Sequence, residues 1–230
     1  MQTIGLIGGM SWESTVSYYQ LLNREIKHRL GGLHSAKIIL VSVDFAEIEQ
    51  LQHLGKWQQA GDILSQAAQS LEAAGADFFL ICTNTMHKVA EQVSDSVSIP
   101  LLHIADATAE ILVQQGINTV GLIGTAFTMQ EDFYKKRLTE RFQIAVIVPS
   151  EEEQKLLHNI IYQELCLGTI KDKSRQIYLH IMQGLAARGA QGIILGCTEI
   201  GLLVQQQDTS YPLFDTAAIH ARCAATQSLA

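Results

Sequence analysis

Strong charge and long hydrophobic runs are both missing from this sequence. Charged residues make up 17% of the chain, and the formal net charge is −7. A chain without a basic excess has no stripe that could bind phosphates, so nucleic acid is not expected as a partner. No apolar run approaches the roughly 20 residues of a membrane-spanning helix, so no membrane partner is expected either. With 47% hydrophobic residues, the chain can bury a sizeable core, which predicts a globular protein.

Cysteine is rare, and its spacing excludes the common metal motifs. Cys82, Cys166, Cys197 and Cys223 form no CxxC pair and have no zinc-like spacing with histidine. The sequence also lacks the GxGxxG dinucleotide fingerprint and a P-loop lysine, so no metal or nucleotide cofactor is expected. The N-terminus shows neither a basic segment nor a cleavage site. A cytoplasmic location with reduced thiols is therefore expected.

Residues 192–200, Gly-Ile-Ile-Leu-Gly-Cys-Thr-Glu-Ile, are the stretch that points most directly to function. The short apolar run is typical of a buried parallel strand, and Cys197 follows where the strand ends. Open α/β sheets bind ligands beyond the carboxyl ends of their strands. A thiol placed there, at the start of a helix, is expected to have a pKa below the usual value of about 8.5. Cys197 is a candidate nucleophile or base, and the alternative is a small buried hydrophobic residue.

The segment that leads to Cys197 has a second copy in the first half of the chain. Residues 185–198 align without a gap with residues 71–84. The alignment matches Cys197 with Thr83, at an offset of 197 − 83 = 114. The chain therefore contains two similar halves, each with its own strand-end site.

Strand and helix patterns alternate along both halves and predict an α/β fold. The motif Gly-Leu-Ile-Gly at residues 5–8 also returns at residues 121–124, an offset of 121 − 5 = 116. Alternation of this kind predicts parallel sheets with right-handed crossovers. We expect two pseudo-symmetric lobes, each a parallel sheet flanked by helices, with the active site in the cleft between them. Prolines at 100 and 212 suggest the crossings, so residues 1–98 plus 212–230 would form the first lobe and residues 99–211 the second.

Glycines and hydroxyls follow the first strand of each half. In the turn Gly8-Gly9-Met10-Ser11, two glycines let backbone N–H groups approach a ligand, and a following helix N-terminus favours an anion. We interpret the turn as a site for a carboxylate or small anion, with Met10 in contact, and a plain glycine turn is the alternative. Thr125 and Thr128 occupy the corresponding place in the second half and can cap a helix or direct their hydroxyls to a substrate.

Thr83, Asn84 and Thr85 follow the third predicted strand. Thr83 and Asn84 can cap the next helix, and they can also donate hydrogen bonds to a substrate carboxylate. His87 is expected on the helix surface, with a catalytic role as the alternative. Because neighbouring side chains of a strand point to opposite faces, Cys82 is expected in the core.

These motifs together resemble those of the aspartate/glutamate racemase family. The resemblance rests on Gly-Leu-Ile-Gly-Gly-Met at 5–10, Asn-Thr-Met-His at 84–87, Gly-Thr with a second threonine at 124–128, and Gly-Cys-Thr-Glu-Ile at 196–200. It implies a racemase of two lobes that needs no cofactor, pyridoxal phosphate included. It also implies an amino acid as the small-molecule substrate, an acid-base residue in each lobe, and commonly a homodimer.

The sequence departs from the family pattern at the first acid-base position. The family has Cys-Asn-Thr there, whereas this chain has Thr83-Asn84-Thr85. A threonine hydroxyl is a poor base near neutral pH, but it can relay a proton. We expect Cys197 to take the α-proton of the L-enantiomer and Thr83 to return a proton on the opposite face. Conversion from L to D should then be the faster direction.

Substrate contacts are expected from several segments of the chain. Asn84, Thr85 and Thr198 are candidates to donate hydrogen bonds to the charge that develops at the reacting carbon. Where aspartate-specific members have basic residues, residues 44–57 offer Gln52 among glutamates, so the substrate is L-aspartate, L-glutamate or a broader set of polar amino acids. The full set of predicted binding residues is Met10, Gln52, Asn84, Thr85, Thr125, Thr128, Thr198 and Glu199.

Other functions remain open from the sequence. Hydantoin racemases, maleate isomerases and arylmalonate decarboxylases use similar strand-end cysteines. A decarboxylase needs only one cysteine, which Thr83 in place of the first one would also fit. A non-catalytic amino-acid-binding protein that has lost its first acid-base residue is a further alternative.

Overall fold

The computed structural model describes residues 1–230, and the chain divides into two compact units. Unit 1 contains Met1–Ile104 and His220–Ala230, and unit 2 contains Ala105–Ile219. Each unit has its own parallel sheet with flanking helices, so the predicted α/β class is confirmed. None of the helices combines the length and the apolar character that a membrane crossing requires.

Unit 1 is built on a three-stranded parallel sheet. Its elements in chain order are β1 (Ile4–Gly8), α1 (Trp12–Leu30), β2 (Ile38–Ser42), α2 (Phe45–His53), α3 (Trp57–Ala73), β3 (Phe78–Ile81), a 3-10 segment (Thr85–Val89) and α4 (Ala90–Ser94). The strand order is β2-β1-β3. Strands β1 and β3 are fully buried, whereas β2 at the edge is partly exposed.

Unit 2 is built on a four-stranded parallel sheet with the order β5-β4-β6-β7. The remaining elements are α5 (Ile104–Gln114), β4 (Thr119–Gly124), α6 (Ala126–Gln130), α7 (Asp132–Phe142), β5 (Ala145–Ile147), α8 (Glu151–Gln163), a 3-10 segment (Leu165–Leu167), α9 (Asp172–Ala187), β6 (Gly192–Gly196), α10 (Ile200–Leu203), a 3-10 segment (Gln206–Asp208), β7 (Leu213–Asp215) and α11 (Thr216–Ser228). Helix α5 starts at the last residue of unit 1, and α11 ends within unit 1.

The internal repeat of the sequence is present in the pairing of the strands. An isolated parallel bridge extends the sheet of unit 1 beyond β3, where unit 2 has β7. Each sheet therefore contains a corresponding row of paired residues, Gly5–Phe79–Leu101 in unit 1 and Gly121–Ile193–Leu213 in unit 2. The two halves share the same strand order and the same register across their central strands.

Side chains at the helix starts explain where the main helices begin. The Ser11 hydroxyl accepts the Ser14 N–H at 3.4 Å and caps α1. Ser150 and Glu153 form a reciprocal capping box at the start of α8. Such side chains satisfy N–H groups that have no partner inside the helix. The sequence pattern predicts helix starts near residues 13 and 151, and the observed helices α1 and α8 start at Trp12 and Glu151.

The chain changes units later than the prolines suggested. Residues 99–104 stay in unit 1, and residues 212–219 stay in unit 2. In both places the chain first completes its own sheet, by the bridge of Leu101 in one case and by β7 in the other. Proline is tolerated at the start of an edge strand, so Pro100 and Pro212 precede the last strand position of each sheet and lie before the crossings.

Candidate active site

Cys197, Thr198 and Glu199 form one hydrogen-bonded group directly after β6. The Cys197 thiol donates to Glu199 Oε2 at 2.9 Å, and the Thr198 hydroxyl donates to the same oxygen at 2.9 Å. Cys197 is 7% exposed, and the other two side chains are also buried. The strand places the group at the carboxyl end of the sheet, as predicted. The proton of the thiol thus already points at a carboxylate.

The expected lowering of the Cys197 pKa is wrong. Burial raises the pKa of this thiol well above its usual value, and the neighbouring Glu199 carboxylate raises it further. The helix that follows, α10, covers only Ile200–Leu203. A helix this short has few aligned peptide dipoles, which cannot offset the burial of the sulfur. Cys197 is therefore held as a thiol and needs a nearby acceptor to become a thiolate.

Thr125 and Thr128 lie at the neighbouring strand end. Thr125 caps α6, since its hydroxyl accepts the Thr128 N–H at 3.3 Å, and the two hydroxyl oxygens are 3.2 Å apart. Gly124 pairs with Gly196, the residue before Cys197, and a Cβ on Gly196 would lie 3.3 Å from Thr128 Cγ2. The predicted capping role is confirmed for Thr125, whereas Thr128 lies inside α6 and packs against the segment that carries the thiol.

In unit 1, β3 carries Thr83, Asn84 and Thr85 to the position that corresponds to Cys197. Thr83 is partly exposed, whereas Asn84 and Thr85 are buried. The Asn84 side chain makes no capping hydrogen bond to the 3-10 segment that follows, so capping does not explain this residue. Cys82 is 1% exposed, and burial strongly raises the pKa of its thiol. Its position in the core agrees with the alternation expected along a strand.

His87 is buried, in contrast to the helix surface expected for it. Its Nδ1 lies 2.8 Å from the Thr83 carbonyl oxygen, and its Nε2 lies 3.2 Å from the Ile104 backbone nitrogen. The spacing of four residues between Thr83 and His87 is the sequence signal that could have found this contact, because residues four apart are neighbours on a helical turn.

Packing explains the glycines of the first turn. Gly9 has φ +92°, and a Cβ there would lie 2.2 Å from the Val43 carbonyl oxygen. The Gly9 N–H donates to Thr15 Oγ1 at 2.8 Å. These contacts support the plain glycine turn over the predicted anion site. Met10 is 3% exposed and belongs to the hydrophobic core of unit 1.

Gln52 lies on α2, a helix without lysine or arginine. Its side chain is buried, and its amide donates to Met86 Sδ at 3.0 Å. The thioether belongs to the Asn-Thr-Met-His motif, so the structure brings Gln52 to the segment that carries Asn84 and Thr85. In unit 2, Lys171 pairs with Glu164 at 3.2 Å. No group of histidine, cysteine and acidic residues is arranged to hold a metal ion.

Comparison with known proteins identifies the family. The family model described as Asp/Glu/hydantoin racemase matches residues 7–224. The chain belongs to this family. It is also 25% identical over 167 residues to the broad specificity amino-acid racemase RacX of Bacillus subtilis, and the alignment covers 71% of this chain and 70% of RacX. As a racemase-family protein it is an isomerase, which confirms the resemblance seen in its motifs.

Two crystal structures match this racemase-family chain over its full length. One is a candidate Asp/Glu racemase from Yersinia pestis, with 56% identity, a TM-score of 0.92 and 100% coverage of both chains. The other is an aspartate racemase homologue from Pyrococcus horikoshii, with 36% identity, a TM-score of 0.85 and 100% coverage of both chains. The fold is therefore that of the family throughout the chain.

Proposed function

We propose that this enzyme is an amino-acid racemase that works without pyridoxal phosphate, with Cys197 and Thr83 on opposite faces of the substrate carbon. The observation that carries the proposal is the 2.9 Å hydrogen bond from the Cys197 thiol to Glu199 Oε2. It supplies a buried thiol with an acceptor for its proton, which a base of this kind requires.

The first half-reaction removes the α-proton of the L-enantiomer. The Cys197 thiol passes its proton to Glu199, which leaves a thiolate beside a neutral carboxylic acid. The thiolate then takes the α-proton, so that the Cα–H bond breaks, an S–H bond forms, and the electron pair stays on the substrate. Donors such as Thr198 and Asn84 stabilise the charge that spreads into the substrate carboxylate.

The second half-reaction returns a proton to the other face of the carbon. Thr83 Oγ donates its proton to Cα and recovers one from water, and Glu199 gives the proton it took from Cys197 to the hydroxide that remains, so atoms and charge balance over the cycle. Its placement rests on the repeat, because Thr83 and Cys197 hold the same position after paired strands. A hydroxyl returns a proton more readily than it removes one, so the L-to-D direction is the faster one.

The proposed substrates are L-aspartate, L-glutamate or a broader set of polar amino acids. An aspartate-specific site would need a cation for the distal carboxylate, and α2 offers Gln52 instead. An amide can donate to a carboxylate and can also bind an uncharged polar side chain. The name of RacX, a broad specificity amino-acid racemase, is in line with this breadth.

The assembly we propose is a homodimer. Helix α1 carries Trp12, Val16 and Tyr19, which are 65%, 45% and 55% exposed, on one face. Apolar and aromatic side chains grouped in this way are typical of surfaces that bind a partner. A second copy of the same chain supplies a matching surface, as in most soluble oligomers.

The test is NMR in deuterium oxide over a panel of L-amino acids. Solvent deuterium should enter Cα of the polar substrates, and the D-enantiomer should accumulate. Cys197→Ala should abolish both signals, whereas Thr83→Cys should raise turnover in both directions because a second thiol replaces the hydroxyl. Cys223→Ala is the matched control, since this partly buried cysteine lies on α11 in unit 1 and should leave turnover in place.

Each competing function gives a different result in the same series. Exchange at Cα that survives Cys197→Ala would rule out the assigned base. Release of carbon dioxide from an arylmalonate would identify a decarboxylase. An amino acid that raises the melting temperature without any exchange at Cα would identify a binding protein.

A further inference from the structure

A group of buried histidines lies behind the Thr83 turn in unit 1. His87, His103 and His220 are 4%, 7% and 0% exposed. The ring centroids of His87 and His103 are 4.4 Å apart, and those of His87 and His220 are 6.2 Å apart. The group includes residues at both points where the chain crosses between the units. The chain leaves unit 1 after Ile104, next to His103, and re-enters it at His220.

The hydrogen bonds of His87 define its protonation. A carbonyl oxygen can only accept, so Nδ1 carries the proton that is donated to Thr83 at 2.8 Å. A backbone N–H can only donate, so Nε2 is the bare nitrogen that accepts from Ile104 at 3.2 Å. The ring is therefore neutral, and each nitrogen holds a different segment of the backbone.

The ring of His220 also donates a hydrogen bond from one nitrogen and accepts one at the other, but with different partners. Its Nε2 donates to the Leu102 carbonyl at 2.8 Å, and its Nδ1 accepts from the Tyr18 hydroxyl at 2.9 Å. Burial lowers the pKa of His220 to about 4, which keeps this ring neutral as well. His220 braces the same region without touching the Thr83 turn, and so it offers a control of equal burial.

We propose that His87 is a positioning residue, which fixes the turn carrying Thr83 by holding the Thr83 carbonyl through Nδ1. The hydroxyl that returns the proton belongs to the residue whose carbonyl is held. A turn that lacks this bond can rotate the Thr83 peptide, and a displacement of about 1 Å can cost on the order of 100-fold in rate. The inference rests on the proposed role of Thr83.

Two substitutions separate the two ends of the link. In His87→Asn, the amide nitrogen takes the place of Nδ1 and can still donate to Thr83, but the acceptor for Ile104 is lost. In His87→Gln, the longer side chain brings its oxygen to the place of Nε2 and keeps the Ile104 bond, but the Thr83 bond is lost. His220→Gln keeps the donor to Leu102 and controls for the loss of a buried imidazole.

The readout is the deuterium in recovered L-substrate divided by the D-product formed, measured in one NMR experiment in deuterium oxide. We expect His87→Gln to lower D-product formation about tenfold or more. The ratio should rise several-fold, because the carbanion waits longer for a proton from Thr83 and returns to the L side through Cys197. His87→Asn and His220→Gln should keep the wild-type ratio. Melting temperatures report any loss of folded protein.

The outcomes are distinct. A fall in rate for His87→Gln with an unchanged ratio means that His87 only stabilises the fold, and this overturns the proposal. An equal rise of the deuterium ratio in His87→Asn and His87→Gln also overturns the proposal. His87→Asn keeps the bond to Thr83, so loss of that bond would then not be the cause of the rise. A wild-type enzyme without exchange at Cα contradicts the proposed function itself, which is a separate result.

Discussion

Burial and ionisation impose opposite demands on the Cys197 sulfur. Burial shields the sulfur from solvent and raises the pKa of the thiol, yet the proposed base must ionise to take the α-proton. The hydrogen bond from the Cys197 thiol to Glu199 can meet both demands, because it gives the buried thiol an acceptor for its proton. In the proposed mechanism, the thiolate forms by transfer of its proton to Glu199 and needs no hydroxide from solvent.

This pairing predicts a large effect of Glu199→Gln on turnover. The amide cannot take the proton of the thiol, so racemisation at pH 7 should fall by about 100-fold to 10,000-fold. Loss of the carboxylate charge lowers the Cys197 pKa somewhat, but burial, the largest cause, still keeps it raised. Residual activity should therefore increase as the pH rises toward that pKa. Initial rates from pH 6 to pH 10 measure both effects.

Glu164→Gln is the matched control for that series. Glu164 is also sheltered, with 16% of its side chain exposed, and it is bonded to Lys171 and Ser174. Its removal should leave the pH profile unchanged. A Glu199→Gln enzyme with wild-type rate and profile would show that the thiol is activated by some other group.

The sequence predicted which residues lie at the strand ends but not how they are bonded. Thr83 and Cys197 could be matched because the repeat runs through both strands without a gap. The roles of Glu199 and His87 depend on where side chains point after the strand has ended. No periodicity governs such irregular segments. The sequence therefore gives no sign that the Glu199 carboxylate accepts hydrogen bonds from both Cys197 and Thr198, as the structure shows.

At the scale of elements, the turn between β1 and α1 shows how packing selects residues. The backbone of Gly9 runs so close to the Val43 carbonyl that no side chain fits between them. The φ of +92° adds a second reason for glycine, because side chains disfavour this region. The glycine pair that suggested an anion site is thus explained by the path of the chain.

A Gly9→Ala substitution should destabilise unit 1 by about 3 kcal/mol, through the combined cost of overpacking and backbone strain. Gly75→Ala is the control, since Gly75 has φ +91° but nothing within 4 Å of a Cβ, and its cost should be about 1 kcal/mol. Both tryptophans, Trp12 and Trp57, belong to unit 1, so their fluorescence during urea unfolding reports on this unit. Equal losses for the two variants would mean that the Val43 contact has no effect.

Buried strands were predicted better than exposed helices. The apolar runs predict central strands over residues 4–7 and 120–123, and the structure has β1 at Ile4–Gly8 and β4 at Thr119–Gly124. The agreement is close because a short apolar run has few other conformations to adopt. The sequence pattern around residues 129–140 predicts a single helix, whereas the structure has two helices there, α6 and α7. They are separated at Glu131, which takes an extended conformation with φ −79° and ψ 159°. Neither proline nor glycine marks this break, so the pattern gave no signal.

At the scale of the whole molecule, the two units repeat one plan. The row of paired residues from Gly5 to Leu101 corresponds to the row from Gly121 to Leu213. The halves could be recognised from the sequence because the repeat preserves the apolar strands. The crossings could not, because proline marks the start of the last strand position and the chain continues beyond it before it changes units.

Exposed apolar residues of unit 1 bear on the assembly of the enzyme. Trp12, Val16 and Tyr19 lie along one face of α1, and Leu40 on the edge strand β2 is 44% exposed. A Cβ on Gly8 would touch both Leu40 and Thr15, so β2 and the start of α1 are neighbours. We assign the exposed face of α1, with Trp12, Val16 and Tyr19, to the proposed homodimer, and Leu40 is a further exposed apolar residue of the same unit.

A charge placed in that surface should separate the subunits. Val16→Glu puts a carboxylate between Trp12 and Tyr19, where a partner would have to bury it without a counter-charge. Light scattering coupled to size exclusion should then change from a dimer to a monomer of 25.3 kDa. Val113→Glu on α5 is the control, because Val113 is also a helical valine and is 53% exposed. A monomeric wild type, or two variants that both remain dimers, would show that α1 is not the subunit interface.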